Sequence, residues 1–339
     1  MAKGFLTKAT FSNWLWVSGV LVLATSILFT YFIIPEAPSA QVDKTVFEHF
    51  PGFNFVSNGL YDLLDSIELR YFIAFLSIIA GGVLLQYLST DNRLVRVRSF
   101  FPFFLYCLLA AAFFPYISPL RTYVATLFFI GACWRAFSVV ERNEMNRALL
   151  DASLLLGLAS LTLNRLTWLL PFFWMAASQQ QSLTVKNLLS SLIGFGSIYW
   201  LIAGFSFLLG DFRYLQHWAE NVWQFSWMNW QGVTVTTFVF LMGLALVLIV
   251  AVASFMGQRN QDKLRTRNQL FGIMLLWLGA KLIWLSASDA NTAFLFVLTI
   301  PTMVFWAHYF SLRDNRFSRF LFFFFMVFCG LVFLFYSPF

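Results

Sequence analysis

Two sets of charged side chains are placed where they could do chemistry. Asp43 and Glu48 follow the first long apolar segment, and Asp62, Asp65 and Glu68 precede the second. A carboxylate held beside a membrane-embedded substrate can act as a general base, which makes Asp43 and Glu48 the catalytic candidates. Arg70, Arg121, Arg165 and Lys281 stand at the ends of apolar segments. An arginine presents a planar fork of donors that matches phosphate, so this quartet is the candidate site for a lipid phosphate. Each set also has a plainer explanation. Leu60, Leu63, Leu64 and Ile67 share one helical face and the three later acids share the other, as on a solvated amphipathic helix. The cations could snorkel to headgroups or pair with those acids.

No motif of soluble catalysis accompanies them. The chain contains no phosphate-binding glycine loop, no GxSxG and no HExxH. Gly81-Gly82 and Gly194-Phe195-Gly196 fall within apolar segments, where small residues favour close helix packing. Cys107, Cys133 and Cys329 are far apart in apolar runs and read as small packers. His49, His217 and His308 are equally dispersed, so no metal site and no cofactor is expected.

The elements that must position these residues are membrane helices. Of 339 residues, 60% are hydrophobic and 11% charged, against roughly 25% charged in soluble domains. About eleven apolar segments follow one another: 13–34, 67–88, 100–117, 119–138, 149–163, 166–178, 187–209, 233–256, 268–286, 292–310 and 319–337. They are too continuous for barrel strands. A single all-α integral membrane domain over 1–339 is therefore expected, with about eleven transmembrane or re-entrant helices. "MAKGFLTKATFSN" leads into the first segment without a cleavage motif, so that segment is expected to be retained. Segments 149–163 and 166–178, and the pair joined by "PYISPLR", are short and form central hairpins.

Charge sets the orientation. With the N-terminus inside and every segment crossing, 16 of the 22 Lys and Arg fall inside, as the positive-inside rule requires. The C-terminus then faces outward, and a missed span would have destroyed the asymmetry beyond it. The net charge of +7 follows this topology and does not mark a nucleic-acid surface. Two sizeable loops, 35–66 and 210–232, lie outside. In the second, Leu215, Trp218, Val222 and Phe225 form one stripe with Trp223, Trp227 and Trp230 nearby, which predicts an interfacial helix. Asn164-Arg165 becomes the outer tip of a hairpin. Asp151 is expected to open its helix on the inside, where an acid suits the dipole.

The stretch "ALLDASLLLGLASLTLNRLTWLLPFFWMAA" and the following "LLSSLIGFGSIYWLIAGFSFLLGDF" resemble a family of uncharacterised polytopic inner-membrane proteins from Bacteroidota. Its "FDAS…G-ASL" helix has Leu150 here in place of the first Phe, and the likeness covers roughly 67–211. A carotene oxygenase activity sometimes attached to that family needs a multi-His iron site, which three dispersed His cannot supply. A more distant resemblance is to membrane glycosyltransferases of the GT-C type. These have an outside loop after helix 1, short central hairpins and a catalytic carboxylate soon after helix 1, for which Asp43 or Glu48 is the nearest match.

Three functions fit. One is a non-enzymatic subunit or scaffold of a bacterial cell-envelope assembly, with membrane lipids and envelope proteins as partners. Another is a GT-C-like enzyme acting at the outer face on a sugar linked to polyprenyl phosphate. A transporter is the third, disfavoured because the ionisable residues sit at segment ends. Whether the chain is an enzyme stays open at this point.

Overall fold

The computed structural model describes residues 14–33, 66–92, 94–95, 100–114, 119–138, 145–180, 183–223, 235–258, 264–285, 292–312 and 315–335. All regular structure among them is helical. In chain order the helices are α1 (Trp14–Ile33), α2 (Ile67–Asp91), α3 (Phe101–Phe113), α4 (Pro119–Ser138), α5 (Met145–Thr162), α6 (Leu170–Gln179) and α7 (Val185–Leu209). There follow α8 (Arg213–Trp223), α9 (Val235–Gln258), α10 (Leu264–Leu285), α11 (Thr292–Leu312) and α12 (Arg316–Phe335). Every apolar segment read from the sequence coincides with one of them, and α8 falls in the expected interfacial loop. Five are long and apolar enough to cross a membrane: α1, α2, α7, α10 and α12.

Contacts between helices fix their relative directions. Gly19 of α1 meets Phe103 and Cys107 of α3, and Ser26 donates to Ala111 O at 2.8 Å, so these two run parallel. Between them α2 is antiparallel, with Gly82 against Phe103 and Tyr71 against Phe114. Leu84 of α2 approaches Gly131 of α4 and Asp91 accepts from Trp134 Nε1, again a parallel pair. The same holds for α5 and α7. Ser190 donates to Asn146 O, Ser153 bonds Ser191, and Ser160 bonds Tyr199, so both numbers rise together. Antiparallel contacts link α6 to α10 (Gly272 with Ala176, Gly279 with Phe172) and α11 to α12 (Trp306 with Phe325, Phe310 with Phe322). Apart from α8, successive helices alternate in direction. We call the end where α1 begins the near end and the opposite one the far end.

Two helices form the centre. All thirteen residues of α3 are buried, as are residues 301–310 of α11. They run antiparallel, joined by Phe101–Phe310 and Phe113–Phe296 ring contacts. At 1.5 Å per residue α3 spans only about 20 Å, short of a bilayer core. It is enclosed by neighbours instead, as a short helix at membrane depth must be. Close approach relies on small residues. A Cβ at Gly81 would lie 2.7 Å from Tyr106 Oη, and one at Gly82 would lie 2.8 Å from Phe103. Gly194 abuts the Leu150 carbonyl, whereas Gly196 has nothing within 4 Å and takes no part.

The hairpin containing Arg165 is longer than its apolar run suggests. Helix α5 starts at Met145, and a 3-10 segment, Asn164–Leu169, leads into α6. Each arm thus reaches about 27 Å at helical rises of 1.5 and 2.0 Å. The early start also moves Asp151 out of the first turn, contrary to the capping expectation. Its Oδ2 accepts instead from Arg135 Nε on α4 at 2.7 Å.

Candidate functional site

At the near end, polar groups tie helices together. Gln269 Nε2 of α10 donates to Phe137 O at 2.8 Å and to Asn92 Oδ1 at 3.2 Å, while Asn92 Nδ2 donates back to Leu88 O. His308 Nδ1 lies 2.7 Å from Leu94 O. A carbonyl only accepts, so Nδ1 carries the proton and the ring is a structural tie. These ties were missed from sequence. Their one signal was a polar residue, Gln269 or His308, standing inside an apolar run.

The far end holds the candidate cations. Arg70 lies in the first turn of α2 and is only 6% exposed. Its Nε and Nη1 are buried and make no hydrogen bond among the described residues. The adjacent acid, Glu68, is exposed and accepts from Tyr31 Oη of α1 at 3.1 Å. Arg121 stands in the first turn of α4, the parallel neighbour of α2. Arg165 is half-buried in the 3-10 segment, which packs on α10. Lys281, near the end of α10, places Nζ 4.2 Å from the centre of the Trp277 ring on its own helix, a cation–π contact. The four cations thus reach the same end on two pairs of packed elements, α2 with α4 and the 3-10 segment with α10. Asp43 and Glu48 lie outside the described residues, as do Asp62 and Asp65.

Helix α8 is seated across this end. Gly210, at φ +68°, closes α7 in the left-handed conformation that glycine adopts readily. Asp211 then accepts from the Arg213 backbone N–H at 3.1 Å and starts α8. The expected stripe faces inward. Val222 is buried, and Leu215 and Trp218 pack on Ile198 and Ile202 of α7. Trp168 of the 3-10 segment donates to Val222 O at 2.9 Å and meets Trp223 edge to face. Below it Tyr199 Oη bonds Ser160 at 2.7 Å, and the Tyr199 ring lies 4.4 Å from Trp218. The outward face carries Gln216, Glu220 and Trp223, the last 68% exposed. Phe225, Trp227 and Trp230 lie outside the described residues.

An apolar groove of about 240 Å³ opens between α1, α3 and α12, lined by residues including Val22, Phe29, Leu108, Ala112 and Phe333. No charged side chain lines it. Cys107, Cys133 and Cys329 are buried free thiols that pack, as expected. Among the described residues no group of three His, Cys, Asp or Glu is placed to hold a metal.

No curated protein and no solved structure matches the chain. A family profile does match, over residues 52–338, which covers the described helices from α2 to α12. The chain belongs to the family of unknown function DUF6427.

Proposed function

We propose that this chain is a multi-pass protein of a bacterial inner membrane, with its N-terminus inside, that serves as a non-enzymatic subunit of a cell-envelope assembly. The alternation of helix directions supports eleven crossing or re-entrant segments. In this reading the basic loops belong to the near, inner end and the two larger loops to the far, outer end, as the positive-inside rule asks. The observation that carries the docking role is α8. Its apolar stripe is spent on α7 and the 3-10 segment, so a fixed polar face with one protruding tryptophan is displayed at the outer interface. Rigid aromatic anchors with a polar surround suit protein docking.

The test is purification of the full-length chain from its own cells in mild detergent. Envelope subunits should accompany the wild type at fixed stoichiometry. A Gln216→Arg, Glu220→Lys double variant, altered only on the exposed face, should retain at most a fifth of them. A chain that purifies alone would remove this reading.

A second reading is supported by Arg70, a buried guanidinium that follows in sequence the segment carrying Asp43 and Glu48. In it the chain is a GT-C-like enzyme. Asp43 or Glu48 is the base, and Arg70, Arg121, Arg165 and Lys281 bind polyprenyl phosphate. Native mass spectrometry that finds polyprenyl phosphate on the purified protein would favour it.

A further inference from the structure

We infer that the far ends of α2 and α4 bind one phosphate oxyanion, of a lipid headgroup or of free phosphate, on the Arg70 guanidinium. A guanidinium keeps its charge at every pH a cell reaches. Burying it without a partner costs far more than pairing it returns, so a buried and open arginine marks the place of an anion. Arg70 is 6% exposed, with Nε and Nη1 buried and making no hydrogen bond among the described residues. Glu68 does not serve it, being turned to Tyr31.

The backbone adds to the same charge. Side chains of a helix lean toward its N-terminus, so Arg70 lies over the first turn of α2. The N–H groups of that turn have no intrahelical acceptor, and Ser66 offers them no side-chain cap. Helix α4 runs parallel beside α2 and begins at Pro119, with Arg121 in its first turn. Two positive helix ends therefore lie at the same end of one parallel pair. The next residue, Tyr71, is packed edge to face on Tyr31 and Phe114. At the end of an apolar bundle, at headgroup depth, the abundant anion is a phosphate.

The site goes beyond the docking role of α8 and can fail or stand without it. Its test uses the full-length protein in detergent, stripped of lipid and unfolded by heat with phosphatidylglycerol or with inorganic phosphate. Phosphatidylglycerol should raise the wild-type Tm by about 4 °C. The shift should vanish in Arg70→Met and persist in Arg70→Lys. In the stripped protein Arg70→Met should unfold at or above the wild-type temperature, because it removes an uncompensated charge. A shift from phosphatidylglycerol alone assigns the lipid headgroup, and an equal shift from inorganic phosphate assigns the free anion; either supports the site. No shift with either probe, or the same shift in Arg70→Met, overturns it. So does stripped Arg70→Met that unfolds well below wild type or fails to fold, since Arg70 then pairs with a carboxylate of the chain.

Discussion

The two ends of the bundle treat buried polar groups differently. At the near end Gln269 Nε2 reaches two acceptors on two other segments, and His308 closes onto the Leu94 carbonyl. There the Gln269 amide nitrogen and the His308 ring hold helices in register, although Gln269 Oε1 and Arg267 Nε are buried without a hydrogen bond among the described residues. At the far end Arg70 is nearly as deeply buried, and its Nε and Nη1 make no hydrogen bond among the described residues, while α8 covers the end with its polar face turned out. On the proposed reading the near-end ties serve rigidity and the far-end arginine serves binding. In a membrane this division is economical, because polar groups inside an apolar bundle must either satisfy one another or serve a ligand.

The sharpest way to break the comparison is to ask whether the ends lie on opposite sides of a membrane. With a single cysteine introduced at Arg165 or at Arg93 in intact cells, a membrane-impermeant maleimide should label the first and not the second. Buried Cys107, Cys133 and Cys329 supply the unlabelled background. Labelling of both or neither would dissolve the assignment of near and far to inside and outside.

The next effect is thermodynamic. Gln269→Ala strands the Phe137 carbonyl and Asn92 Oδ1, so it should destabilise by about 2–3 kcal/mol, read as a lowered unfolding midpoint in detergent. The contrast with Arg70→Met is the point. One buried polar residue is expected to cost stability when removed and the other is not. If Gln269→Ala proves neutral, the near end is no better tied than the far end.

The smallest effect concerns α8. Trp168→Phe keeps the ring but loses the bond to Val222 O, costing about 1 kcal/mol. Amide exchange should quicken in 213–223 while 185–209 stays protected. Unchanged exchange would mean that the apolar stripe alone seats the helix.

Much of this was legible in one dimension, for definable reasons. Long apolar runs dictate helices, and periodicity predicted α8 through Leu215, Trp218 and Val222. The tip at Asn164-Arg165 followed from counting charges, and the parallel run of α5 and α7 agrees with a reversal between them. Asp151 was misread because the helix start was placed four residues late; capping depends on that boundary, and Arg135 lay a loop away. The Gln269–Asn92–Phe137 tie was invisible because its members are far apart in sequence, and polar residues in apolar runs do not announce their partners. Arg70, Arg121, Arg165 and Lys281 were legible as exceptions to the charge rule, but not how they divide.

By itself, then, the sequence determined that this chain is a helical membrane protein and which segments become helices, and it set the expected orientation. Those properties are sums along the chain: transfer free energies of apolar runs, and charges counted loop by loop. Only the tertiary structure decided that α3 and α11 form the centre, that α8 is seated by Trp168, and that Arg70 is buried without a described partner while Lys281 rests on Trp277. These depend on which faces meet and how closely. That is set by ring packing and by glycines such as Gly82 and Gly194 at crossing points, and no property of one segment alone contains it.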